Sequence, residues 1–368
     1  MNVTCMIGNG FDRNLGLQTK YSDFIAWYKE TPAKTDILKK FREYINDNEE
    51  LWSAAEEELG KYTAQFEPGA GDAFNACHTD ICEHLAKYLK DEQGKFQSQE
   101  IINEIENAFS QLNVLTSPFH TQERAVLDAV YANRKSENVV FNFITYNYTN
   151  TLDQCLELVR KKQGLLGTHK YGSSTHNHTV GTIHHVHGTV NGQMVFGVND
   201  KSQIAKLEIF NCEDGDLYEN ILIKQQANQG YQENADAKAK KLLVDSQILY
   251  IYGMSIGVTD KLWWERVCTW LAGSPERHVI FHCYDMPPEG VVDTERKIAE
   301  RKARRKITDY SQLDDQKKQA IESRIHVTDA NLFQGLSNCV KNITEESLAA
   351  SQGVRVKGKT EAMVAAIV

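Results

Sequence analysis

The chain has 368 residues, enough to bury a large core and to form about two domains, or one α/β domain carrying a large insertion. With 41 Lys and Arg against 50 Asp and Glu it carries a net charge of −9, and the basic residues are dispersed among acids. This argues against direct nucleic-acid binding by phosphate neutralisation. No window approaches about 18 uninterrupted apolar residues, and the start MNVTCMIGNGFD lacks a basic segment followed by an apolar run, so the sequence predicts a cytoplasmic chain with no membrane partner.

In chain order, short and nearly continuous apolar runs at 2–7, 138–146, 182–187, 193–198, 246–252, 277–283 and 324–328 read as buried strands. Helical periodicity fills 149–162, 216–244, 258–272, 291–323 and 331–342. The alternation predicts an α/β fold: a mainly parallel, Rossmann-like sheet with helices on both faces. Residues 21–135 interrupt it with helix-period sequence and no convincing strand. The expected organisation is therefore a sheet domain of residues 1–20 and 136–344, an all-helical insertion of 21–135, and a loosely ordered tail of 345–368. The basic run ERKIAERKARRK (295–306) contains embedded acids at helical spacing and reads as a solvated helix face.

Eight scattered cysteines suit reduced thiols. In the cluster Cys77, His78, Cys82 and His84, a helix puts Cys77 and His84 on one face and Cys82 elsewhere, so no metal is expected.

Ligands of open parallel sheets bind beyond the carboxyl ends of the strands, which directs attention to three junctions. Gly8-Asn9-Gly10-Phe11-Asp12 follows the first run and leads into a helix, where glycines allow close backbone approach and free amides suit a phosphate; the spacing is not that of a dehydrogenase fingerprint, and an ordinary turn is the other reading. In Thr145-Tyr146-Asn147-Tyr148-Thr149-Asn150-Thr151, the threonines or Asn150 suffice to cap the next helix, while Asn147 sits at the strand tip, where a carboxamide can hold a water or a sugar hydroxyl. Gly253-Met254-Ser255-Ile256-Gly257 has the form of a nucleophile elbow; a serine hydrolase would use Ser255 with Asp285 or Asp293 and His326.

Five of the 12 histidines lie in STHNHTVGTIHHVHGTVNG (174–192), with His169 just upstream. In a strand over 182–187, His185 and His187 share one face and His184 points to the other. Two imidazoles lack the third ligand that a metal requires. His169, His176 and His178 read as members of an exposed loop. His187, ahead of Gly188 at a strand end, is the candidate base, and His185 a packing or supporting residue.

Together the segments IGNGFDRNLGLQTKYSDF, TYNYTNTLD, VHG and YGMSIGVTD resemble the abortive-infection AbiH family of anti-phage proteins over roughly residues 3–260, with a more distant similarity to the sirtuin-like NAD-hydrolase fold. The resemblance implies NAD as substrate with no metal, Asn147 and His187 as catalytic residues at the nicotinamide ribose, and Gly8, Asn9, Gly10, Phe11, Asp12, Gly188, Gly253 and Ser255 around the nucleotide, its phosphates on the Gly8–Phe11 amides. It also implies a homo-oligomer that answers to a phage-derived trigger or a partner defence protein. Asn9 and Asp12 depart from the sirtuin turn, Thr149 stands where many relatives have Asp, and the four-cysteine zinc ribbon is missing, which favours hydrolysis over deacylation. A non-catalytic nucleotide-binding sensor or scaffold is the alternative.

Overall fold

The computed structural model describes residues 1–230, 235–290 and 293–340; the tail expected at 345–368 lies outside the described residues. Seven strands, β1 (Asn2–Ile7), β2 (Val139–Thr145), β3 (Leu165–Tyr171), β4 (Ser174–His185), β5 (Ile248–Tyr252), β6 (His278–His282) and β7 (Ile325–Thr328), form one sheet in the order β3-β4-β2-β1-β5-β6-β7. All neighbours pair in parallel except β3 and β4, which are antiparallel. From β1 the chain steps outward to β2 and β4, then returns past β1 to β5, β6 and β7, so the direction of winding reverses at β1.

Side-chain alternation along the strands sends Val3, Cys5, Ile7, Tyr250 and Tyr252 to one face, against Leu152 and Leu156 of helix Thr151–Lys161 and Phe109 of helix Ile102–Ser110. Met6, Leu249 and Ile251 point to the other face, against Trp264 and Val267 of helix Lys261–Ala272. Helices therefore cover both faces. Five of the seven expected strands match the observed ones to within two residues at either end.

Three expectations fail. The segment 165–185 is an antiparallel hairpin turning at Gly172 (φ 60°), although the stretch around His169, His176 and His178 reads as loop and a strand is expected only from 182. Here Thr-rich sequence has the alternation of a half-exposed strand, and pairing with β2 supplies the ladder. Residues 193–198 make only the isolated bridges Gly188↔Met194 and Val198↔Ile223, because Val195, Phe196 and Val198 are buried by side-chain packing instead of strand pairing. Of the helix expected over 331–342, residues 331–338 form only a short 3-10 turn, Gln334–Leu336, and helical backbone begins at Cys339.

Between β1 and β2 the described chain carries helices and 3-10 turns and no strand. Its two parts pack differently. Phe96 to Val130 share the sheet's core, whereas Phe24 to Leu89 form a second core with Tyr148 and Val190 to Ile223, at the carboxyl end of β2.

The turns after β1 and β5 meet backbone to backbone. Gly8 N–H donates to Tyr252 O (2.9 Å) and Gly10 N–H to Gly253 O (2.8 Å). Gly253 has φ +68°, and a Cβ on Gly10 would lie 2.3 Å from Gly253 Cα. Gly10→Ala is therefore expected to cost at least the ~1–3 kcal/mol of an overpacked core, measured by urea denaturation; wild-type stability in that variant would remove the close approach as a determinant of the fold.

Candidate functional site

Asn147 lies at the tip of β2 and is 5% exposed, and both its carboxamide nitrogen and oxygen are buried without a hydrogen-bond partner. Its own N–H is held by Thr145 Oγ1 at 3.2 Å. The neighbouring threonine hydroxyls that face the turn after β1 are paired. Thr149 Oγ1 donates to one oxygen of the buried Asp12 carboxylate (2.6 Å) and Thr151 Oγ1 to the other (2.5 Å). Burial pushes the Asp12 carboxyl up to about 6, against the pull of the two hydroxyls and, more weakly, of the nearby Asn147 carboxamide, which stops short of a hydrogen bond. Thr149 thus has a defined role, binding the Asp12 side chain.

His187 follows β4 and is buried between the rings of Tyr146 (5.6 Å) and Tyr148 (6.0 Å). Burial, and secondly the charge of Lys224, hold its imidazole well below the usual histidine range, so it is neutral near pH 7. Asp260 Oδ1 is 3.8 Å from its Nε2 and has no hydrogen-bond partner. Burial pushes Asp260 up to about 6, with Lys224 opposing and Glu56 reinforcing.

Behind these groups lies a buried ion pair. Lys224 Nζ is 2.6 Å from Glu56 Oε2, with both side chains 5% exposed. Glu56 Oε1 accepts from Tyr21 Oη (2.9 Å) and Tyr148 Oη (3.1 Å), and Lys224 also donates to Thr259 O (3.3 Å). Five segments, around Tyr21, Glu56, Tyr148, Lys224 and Thr259, converge here. Sequence reasoning missed Tyr21, Glu56, Lys224 and Asp260: Glu56 sits in an acidic run that reads as a solvated helix face, and Asp260 reads as a helix start.

The expected residues divide. Asn147 and His187 both reach the carboxyl end of β2, yet no hydrogen bond or ring contact joins them; His187 faces Tyr146, Tyr148 and Asp260, and Asn147 lies nearer Asp12. The N–H groups of Gly8, Gly10 and Phe11, read as phosphate donors, already donate to Tyr252 O, Gly253 O and Gly8 O. Asn9 clamps Thr19 through both ends of its carboxamide, and Phe11 is a core residue in edge contact with Phe333 at 5.3 Å. Gly188 (φ +70°) turns the chain against Gln193 O.

The histidine-rich segment is not an exposed loop. His178 is buried in β4, bonded to His169 (2.8 Å) and to Asn113 Oδ1 (2.7 Å), and burial lowers it to about 4. His185 ends β4 and bonds Asp153 (2.9 Å), so strand alternation does not carry on to His187 and the two share no strand face. Ser255 is exposed, and His326 lies within β7 with both ring nitrogens occupied, by His278 (3.1 Å) and Glu123 (3.1 Å). This removes the base that a serine hydrolase would need. Among the described residues no group of three or more His, Cys, Asp or Glu is arranged to hold a metal, and His78 and His84 bond the carbonyls of Phe196 and Asp80.

The family model described as bacteriophage abortive infection AbiH matches residues 5–282. No curated protein and no solved structure matches the chain.

Asp12 gives a pH signature. Because its folded carboxyl titrates near 6 rather than 3.8, its protonation favours the fold below about pH 4, and that contribution is lost as pH rises through 6. Asp12→Asn cannot titrate, so between pH 4 and pH 7 its stability should gain about 2–3 kcal/mol relative to wild type. Parallel urea titrations across that range check this, and a constant difference would contradict it.

Proposed function

This chain belongs to the bacteriophage abortive infection AbiH family, and from that premise we propose that it is an anti-phage effector that binds NAD and hydrolyses its nicotinamide–ribose bond, releasing nicotinamide and ADP-ribose. The carrying observation is the Asn147 carboxamide, buried and unpaired at a strand tip. Leaving such a group unsatisfied costs about 1–3 kcal/mol, and a bound ligand that completes its hydrogen bonds accounts for its retention. Two further features support the reading. Counting parallel strands alone, the order is third, second, first, fourth, fifth, sixth, as in Rossmann dinucleotide-binding sheets, and the unpaired amide lies by the reversal point, where such folds bind ligands. His187 is a buried neutral imidazole at the same end of the sheet.

The chemistry asks little of the protein at the leaving group. Nicotinamide departs as a neutral molecule from a cationic pyridinium, so no general acid is needed, in contrast to the paired carboxylates of ordinary glycoside hydrolysis. What remains is to stabilise a sugar cation and direct water at its anomeric carbon. Asn147 orients the sugar or the water, His187 lines the water's approach, and the Asp260 carboxylate lends negative charge. In this reading the protein works in the cytoplasm as a homo-oligomer and answers to a phage-derived trigger or a partner defence protein.

Nucleotides from infected cells expressing wild type, His187→Ala or Asn147→Ala, quantified by mass spectrometry, test the proposal. Wild type is expected to deplete NAD and accumulate ADP-ribose. His187→Ala should lower nicotinamide release by roughly 100-fold, the cost of losing the group that positions the attacking water. Asn147→Ala should lose turnover more than NAD affinity while melting no lower than wild type, since it removes an unsatisfied group. Protection from phage with an unchanged NAD pool would refute NAD cleavage, and saturable NAD binding without product would make the protein a nucleotide-binding sensor or scaffold.

A further inference from the structure

Asp260 precedes helix Lys261–Ala272 in the position where an aspartate ordinarily caps the first turn, yet its carboxylate makes no capping hydrogen bond. It turns instead toward His187, leaving Oδ1 buried and unpaired 3.8 Å from Nε2. That separation is too long for a direct hydrogen bond. It suits a third atom: one oxygen placed ~2.8 Å from each would subtend an angle of about 85°, within the range of a water or hydroxyl donating to one partner and bonded to the other.

We infer that His187 and Asp260 act as a pair on a single water or hydroxyl oxygen, with Asp260, not His187, as the proton acceptor. This rests on the NAD-hydrolysis reading and assigns its general base. The division of labour follows from the surroundings. The groups facing Asp260 are Lys224 from helix Lys224–Gly230, Glu56 from helix Ala55–Tyr62, and the more distant phenols of Tyr21, Tyr146 and Tyr310. Lys224 favours the charged carboxylate but disfavours an imidazolium, so of the two groups Asp260 is the better placed to take a proton near neutral pH, its carboxyl being held near 6. In the step, water loses a proton to an Asp260 oxygen and its oxygen bonds the anomeric carbon. The carbon–nitrogen bond breaks with its electron pair passing to the pyridinium nitrogen, and Asp260 then returns the proton to solvent. His187 donates or accepts the hydrogen bond that orients the water.

Purified wild type, Asp260→Asn, His187→Ala and the surface control Asp309→Asn are compared for NAD cleavage from pH 5 to pH 8, with and without phage lysate. Expected results are a wild-type kcat that falls on the acid side with a midpoint near pH 6, and an Asp260→Asn kcat lowered roughly 100-fold or more with KM changed less than about threefold and no acid limb. Asp309→Asn should match wild type. Full kcat and an intact acid limb in Asp260→Asn would overturn the assignment while leaving NAD hydrolysis standing. If wild type releases no nicotinamide, the NAD reading fails, and the pair is read without substrate by NMR of histidine-labelled protein. The His187 ring signals should then shift with an apparent pKa near 6 in wild type and lose that step in Asp260→Asn; a missing step, or the same step in both proteins, would overturn the pairing.

Discussion

The Glu56–Lys224 ion pair is the constraint on which the site depends. Both charges are withdrawn from water, and such a pair is tolerable only when the remaining hydrogen-bonding capacity is filled. Tyr21, Tyr148 and the Thr259 carbonyl fill it here. Because those partners come from a helix near the start of the chain, from the tip after β2 and from the turn after β5, satisfying the pair fixes the helical layer of Phe24 to Leu89 over the strand ends. Removing one partner alone would strand a buried charge, at a cost of about 3–5 kcal/mol. The same lysine acts on the electrostatics of the site, since its charge adds to burial in keeping His187 neutral and steadies the Asp260 carboxylate against burial.

Polar satisfaction separates structure from chemistry at the carboxyl end of the sheet. Asp12 has both oxygens engaged by threonine hydroxyls, Asn9 has both ends of its amide tied to Thr19, and His185 bonds Asp153 and the Asn147 carbonyl. These residues are complete without a ligand and position the strand tips. The Asn147 carboxamide, the Asp260 Oδ1 and the Tyr146 hydroxyl are incomplete and buried. In the proposed function these are the groups at this end of the sheet that a ligand would complete.

The Gly-Asn-Gly turn shows how one sequence pattern serves two physical needs. Glycines are required wherever another backbone comes close, and a phosphate and a second strand end make the same demand. In this molecule the neighbour is Gly253, whose carbonyl receives the Gly10 N–H, so the turn binds β1 to β5 at the point where the winding reverses. The spacing of the motif was visible in the sequence; the identity of what approaches it was not.

Five strands, the helical character between β1 and β2, and the position of Asn147 at a strand tip were determined by the sequence itself, because continuous apolar runs and helical periodicity are local properties that burial on two faces enforces. The 165–185 hairpin was decided by tertiary structure, since its mixed Thr, His and Gly sequence becomes a strand only when β2 offers an edge to pair with. So were the burial of His178, the failure of 193–198 to join the sheet, and the meeting of Tyr21, Glu56, Lys224 and Asp260 around His187. Charges that lie more than a hundred residues apart carry no local sign that they will be buried together; only the packing of the helical layer against the strand ends removes the water that would otherwise separate them.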